Sequence, residues 1–155
     1  MSVQSVSASS HPTLSYTDTL AASTSDMLLL IARILMGWIF VRSGLGKLMD
    51  INAFVATMPG RGLPGWLGYV AAPVEFFGGV ALILGLATRY VAALLLLFVI
   101  IATFSTHRYW EFTEPAARRA QDGSFYKNLA LMGGLIFAFV TAGGRFSIDR
   151  LLARK

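Results

Sequence analysis

Apolar and polar positions alternate along this chain on the scale of whole segments rather than single residues. Four stretches, 27–48, 65–86, 89–107 and 126–144, are almost continuously apolar and are separated by polar, turn-rich connections. Each approaches the roughly 20 residues that a helix needs to cross the ~30 Å hydrocarbon core of a bilayer. The pattern predicts an all-α fold: an integral membrane four-helix bundle, antiparallel, with N and C termini on the same side. The third and fourth stretches each hold seventeen uncharged residues (90–106 and 128–144). The first holds three charges, Arg33, Arg42 and Lys47, and the second only Glu75.

The connections are read from their turn chemistry. Residues 1–26 are rich in Ser, Thr and Ala and contain no Lys or Arg. They bring too little apolar surface to repay ordering and are expected to form a disordered tail. Nor do they resemble a secretory signal, which starts basic and runs directly into an apolar segment. Thr24, Ser25 and Asp26 are candidate N-caps for the first span. Between the first two spans, Pro59-Gly60-Arg61-Gly62 marks a turn, and Phe54 and Met58, four apart, allow a short surface helix before it. Gly85 suits the end of the second span and Thr88 the cap of the third, so these two helices are antiparallel neighbours. The 107–127 connection mixes Tyr109, Trp110, Phe112 and Tyr126 with charges, as headgroup-level segments do. Residues 151–155 read as a basic tail. The 27–150 region is one domain.

Composition sharpens the class. Of 155 residues, 55% are hydrophobic and 14% charged, and mean hydropathy is +0.64. A soluble domain carries about 25% charged residues. The net charge of +5 flanks apolar runs, which points to the lipid bilayer as partner and not to nucleic acid. Having no cysteine removes disulfides, thiolate metal sites and thiol redox steps carried by this chain. His11 falls in the tail and His107 stands alone, so no metal site is expected. No phosphate loop follows a strand, and Ser43, Ser105 and Ser147 lack evident histidine–acid partners.

The candidate chemistry begins at Glu75. A lone carboxylate near mid-membrane is costly unless paired or protonated. Pro73 precedes it and Gly78 and Gly79 follow, which predicts a kink and a surface for close helix approach. On the first span Arg33, Gly37, Phe40, Gly44 and Lys47 share a stripe, with Arg42 nearly opposite. Counting depth from the ends of each span places Arg33 and Arg42 within reach of Glu75. Arg33, on the glycine-bearing stripe, is the expected partner; Arg42, or a protonated or water-facing Glu75, are the alternatives. At the other end of the bundle, Lys47, Thr103, His107, Trp110, Tyr126, Lys127 and Asn128 are expected to converge. That mouth would serve either as an interfacial anchor belt or as a site for an anionic or quinone-like headgroup. Gly134 continues a small-residue stripe on the fourth span. The charge count does not fix orientation; the compact basic C terminus favours cytoplasmic termini.

At this point linked motifs accumulate. RILMGWIFVRSGLGKL at 33–48, PVEFFGGVALILGLATRYVA at 73–92, FYKNLALMGGLI at 125–136 and GGRFSIDR at 143–150 together resemble the DoxX family of bacterial membrane proteins. The resemblance implies a four-helix protein of the bacterial inner membrane. It marks Arg33, Gly44 and Lys47 on the first helix, Glu75 and Gly79 on the second, Gly85 and Arg89 at the turn, and Gly144, Ser147 and Asp149 near the end. It also implies similarity to the small subunit of a thiosulfate:quinone oxidoreductase and to membrane oxidoreductase complexes. The first functional expectation is therefore a subunit or accessory of a quinone-linked membrane oxidoreductase system, with quinone as its ligand and a membrane or peripheral oxidoreductase as its partner. A small oligomeric transporter or permeability factor using the mid-membrane carboxylate is the second. A structural membrane partner without chemistry of its own is the third. Homo-oligomers fit any of these.

Overall fold

The computed structural model describes residues 12–153. Six α-helices follow one another: α1 Pro12–Met49, α2 Ile51–Ala56, α3 Trp66–Leu84, α4 Thr88–Thr106, α5 Pro115–Thr141 and α6 Ile148–Leu152, with single 3₁₀ turns at Pro59–Arg61 and Tyr109–Glu111. No strand occurs among the described residues. Helices α1, α3, α4 and α5 are long and apolar enough to cross a membrane, so the four expected spans are present. Large apolar side chains such as Leu35, Phe77 and Phe137 lie exposed around the bundle, where a spanning helix meets lipid.

Three boundaries differ from expectation. Helix α1 begins at Pro12, well before Met27. Residues 12–26 are thus helical and not a loose tail, while the part of that expectation on 1–11 lies outside the described residues. Asp26 is not an N-cap but a mid-helix group; its Oδ1 accepts from the Arg145 amide at 2.7 Å. Helix α5 begins at Pro115, inside the stretch expected to be a connection. Glu114 caps it, accepting from the amides of Ala116 (2.9 Å) and Ala117 (2.6 Å), and those bonds hold its carboxyl below its usual pKa. Proline at the first helical position has no amide left to satisfy. At the C terminus, residues expected as a tail include the last turn of α6, and 154–155 lie outside the described residues.

The closest packing is between α1 and α3, which run antiparallel. A methyl group on Gly44 would lie 2.5 Å from the Phe76 amide nitrogen, and one on Gly79 2.8 Å from Phe40 Cβ. Gly37 meets Ile83 in the same way. Backbone contact of this kind is what small residues permit between membrane helices. Gly78 receives Leu95 of α4, and Gly134 of α5 faces Met36 of α1. Phe40, Leu82, Ala92, Leu95, Val99, Leu135 and Ala138 fill the core between the four spans. The short α2, capped by Asp50 through a bond from the Ala53 amide (3.2 Å), folds back so that Val55 sits against Gly68 at the start of α3.

Candidate functional site

The α1–α3 register decides which cation meets Glu75. Gly37 faces Ile83 and Gly44 faces Phe76, so each step toward Met49 on α1 is a step back along α3. The residue delivered beside Glu75 is Lys47, whose ammonium donates to Glu75 Oε2. The Glu75 side chain is only 7% exposed and that of Lys47 26%. The Arg33–Glu75 pair expected from sequence does not form. Arg33 lies eleven positions before Gly44, about 16 Å along the helix. Depth counted from Met27 failed because α1 continues far beyond that residue. Arg42, the alternative partner, is exposed on another face of α1.

Around Lys47 the chain builds a cavity of about 230 Å³. Its walls come from α1, the α2 region, α3 and α4, and most are apolar: Phe54, Leu67, Val74, Phe98 and Ala102 are among them. Lys47 Nζ lies 5.1 Å from the centre of the Phe54 ring and 5.7 Å from that of Phe98. The Arg61 guanidinium sits 5.6 Å from the Phe54 ring, so this ring serves two cations. Arg61 also donates to Thr106 Oγ1 at 3.4 Å, and burial pushes its pKa down. Two cations, one of them paired with Glu75, thus border a mostly apolar space. Phe54, Arg61 and Phe98 were not singled out from sequence. The only hint was the pairing of Phe54 with Met58 ahead of the Pro-Gly turn.

Arg33 belongs to a second polar centre at the opposite end of the bundle. It is 2% exposed and donates to the carbonyls of Ile83 (3.2 Å) and Phe146. Beside it Asp149 accepts from the amides of Ala87 (2.6 Å) and Thr88 (2.8 Å), and its own amide donates to the Gly85 carbonyl at 3.0 Å. The carboxylate therefore caps α4, in place of the expected Thr88 side chain, and steadies Ala87 at φ 48°. Partial burial pushes the Asp149 carboxyl up, but the bonds from Thr88 and Ala87 and the Arg33 charge outweigh it and leave its pKa below the usual value. Gly85, at φ 67°, lies where any side chain would strike Arg33 and Ser147. Ser147 caps α6 through the Arg150 amide (3.2 Å) and donates to the Gly144 carbonyl (2.7 Å). The hollow outside is lined by Asp26, Arg145 and Arg150 among others; there Asp26 accepts from the Arg145 amide and Ser147 from the Arg150 amide.

The mouth expected from Lys47, Thr103, His107, Trp110, Tyr126, Lys127 and Asn128 does not form as one site. Thr103 and Asn128 are buried against each other, Asn128 Nδ2 donating to Thr103 Oγ1 at 2.9 Å, and they join α4 to α5. His107 Nδ1 lies 2.8 Å from Gln121 Oε1. Trp110 and Tyr126 join Tyr109 and Phe125 in an aromatic cluster packed mostly edge to face, and Lys127 is exposed. Of that set only Lys47 lines the cavity. The reason is that α5 starts early: residues 115–128 are helix packed on α4, not loop free to fold over α1.

These features define a class, a four-span membrane bundle with a polar brace at one end and an ion pair beside a lateral cavity toward the other. Residues 28–108 match the DoxX family model. The chain is 33% identical to Inner membrane protein YqjF of Escherichia coli (strain K12) over 84% of its own length and 95% of that protein's. It is 31% identical to Inner membrane protein YphA of the same organism over 89% and 98%. A Bacillus subtilis (strain 168) protein named "Putative oxidoreductase CatD" is 38% identical over 46% of this chain and 53% of its own. No solved structure matches. The chain belongs to the DoxX family, and it is a membrane-embedded protein in contact with the lipid bilayer.

Proposed function

We propose that this protein is a quinone-binding subunit or accessory of a membrane oxidoreductase system in the bacterial inner membrane. The observation that carries the reading is the cavity beside the Lys47–Glu75 pair, edged by the Phe54 and Phe98 rings. The residues fit such a ring. A space of about 150 Å³ holds benzene, so about 230 Å³ accommodates one substituted ring. The Lys47 ammonium and the Arg61 guanidinium are donors for ring oxygens, and the phenyl rings offer apolar faces. A quinone supplies two-electron, two-proton chemistry. The chain's part is to bind it, orient its ring oxygens toward Lys47 and Arg61, and exclude water. The partial relative named as an oxidoreductase supports the same direction.

Electrons come from a partner subunit in this reading. The test is gentle purification followed by mass spectrometry of extracted lipids and of co-purifying proteins. Quinone enriched over bulk lipid, and depleted in Lys47→Met, is the expected result. Quinone at bulk level together with no oxidoreductase retained overturns it. The termini are assigned to the cytoplasm in this proposal, and a C-terminal alkaline phosphatase fusion that is active in the periplasm reverses that assignment.

A further inference from the structure

The cavity has two ends of different character. Toward the end of α4, Arg61 is bonded to Thr106, and Ser105 stands next to it. This end is polar and bridged. On the outer side, between α3 and α4, the lining consists of Val70, Leu94, Leu97 and Ile101, each about half exposed. Leu97 and Ile101 are four apart and share one stripe of α4. The gap follows from local packing. The two helices interlock where Gly78 receives Leu95; farther along, Ala71 and Ala102 both border the cavity, and neither side chain reaches far enough to fill it.

We infer that the ligand of this cavity is a tail-bearing amphiphile that enters sideways from the bilayer between α3 and α4, its ring held near Lys47 and Arg61 and its hydrocarbon tail passing Val70, Leu97 and Ile101 into lipid. This rests on the quinone reading above and adds the route and the tail. Volume supports it, because the space that takes one ring has no room for a long tail as well. Charge supports it too: the surplus cation sits at the bridged polar end and the half-exposed wall is wholly apolar, matching a molecule with one polar and one hydrocarbon end. Arg61, drawn over Phe54 and onto Thr106, closes the aqueous side.

The experiment compares binding of a decyl-substituted benzoquinone with that of the same ring lacking the tail, in lipid nanodiscs holding the full chain. Leu97→Trp and Ile101→Trp narrow the opening at exposed positions where folding is not at stake. Each is expected to weaken the decyl compound about tenfold and to leave the tail-less ring unchanged, whereas Arg61→Gln removes a donor to the ring and weakens both compounds. If both tryptophan variants bind the decyl compound as wild type does, while Lys47→Met abolishes binding, the lateral route is wrong and the ring site stands. Equal weakening of both compounds by the tryptophan variants also overturns the route. If wild type binds neither compound, the quinone reading itself falls.

Discussion

Gly44→Ala probes the contact on which the α1–α3 register depends. The added methyl would sit 2.5 Å from the Phe76 amide nitrogen and 2.8 Å from its Cα. Both are backbone atoms of a packed helix, so no side-chain rotation relieves them. Reaching an ordinary separation near 3.4 Å requires α1 to retreat by about 0.9 Å. Overpacking of this severity costs about 3 kcal/mol, the upper part of the usual range. Replacing a helical glycine by alanine returns about 1 kcal/mol of helix propensity. The net loss is about 2 kcal/mol, or a melting temperature lower by roughly 4–8 °C in a chain of this size. Because Lys47 follows Gly44 by one turn, the same retreat pulls its ammonium from Glu75 and loosens the cavity wall. Gly133→Ala is the control, since nothing lies within 4 Å of the added methyl; it should be neutral or stabilising. Thermal unfolding in one detergent checks both. A Gly44→Ala protein as stable as wild type, or a Gly133→Ala protein equally damaged, would show that this contact does not govern the bundle.

Three further outcomes follow from the two polar centres. Lys47→Met strands the buried Glu75 carboxylate and should cost about 3 kcal/mol; adding Glu75→Gln should restore part of it, so a double variant less stable than Lys47→Met contradicts the pairing. Asp149 has a lowered native pKa. Its contribution is complete above the unfolded value of about 3.9 and is lost as pH falls through the native value. Asp149→Asn should therefore lower stability at neutral pH and flatten the acid loss seen in wild type, and melting curves at pH 7 and about pH 3 show whether the slope persists. Gly85→Ala combines a left-handed backbone with a collision against Arg33 and should give little folded protein by size-exclusion chromatography; a normal monodisperse peak contradicts that placement.

The four spans, the tight α3–α4 turn at Gly85 and the family were legible in the chain, because each depends on composition or on residues adjacent in sequence. Glycines expected at helix contacts occupy such contacts for the same reason: a small residue on an apolar stripe has few other uses. Even the early start of α5 carried a local signal in Glu114-Pro115, one overridden by the aromatic and charged residues before it. What sequence alone determined was thus the class of protein and the cost of burying Glu75. Only the tertiary structure decided how that cost is met. Choosing Lys47 over Arg33 requires the axial offset of two antiparallel helices, and a shift of one helical turn moves every facing pair by about 5.4 Å. That offset is set by backbone contacts at Gly37, Gly44 and Gly79, which hydropathy does not encode. Asp149 reaches across some sixty residues to cap α4 for a similar reason: the orphan amides at Ala87 and Thr88 donate to whatever carboxylate the fold delivers.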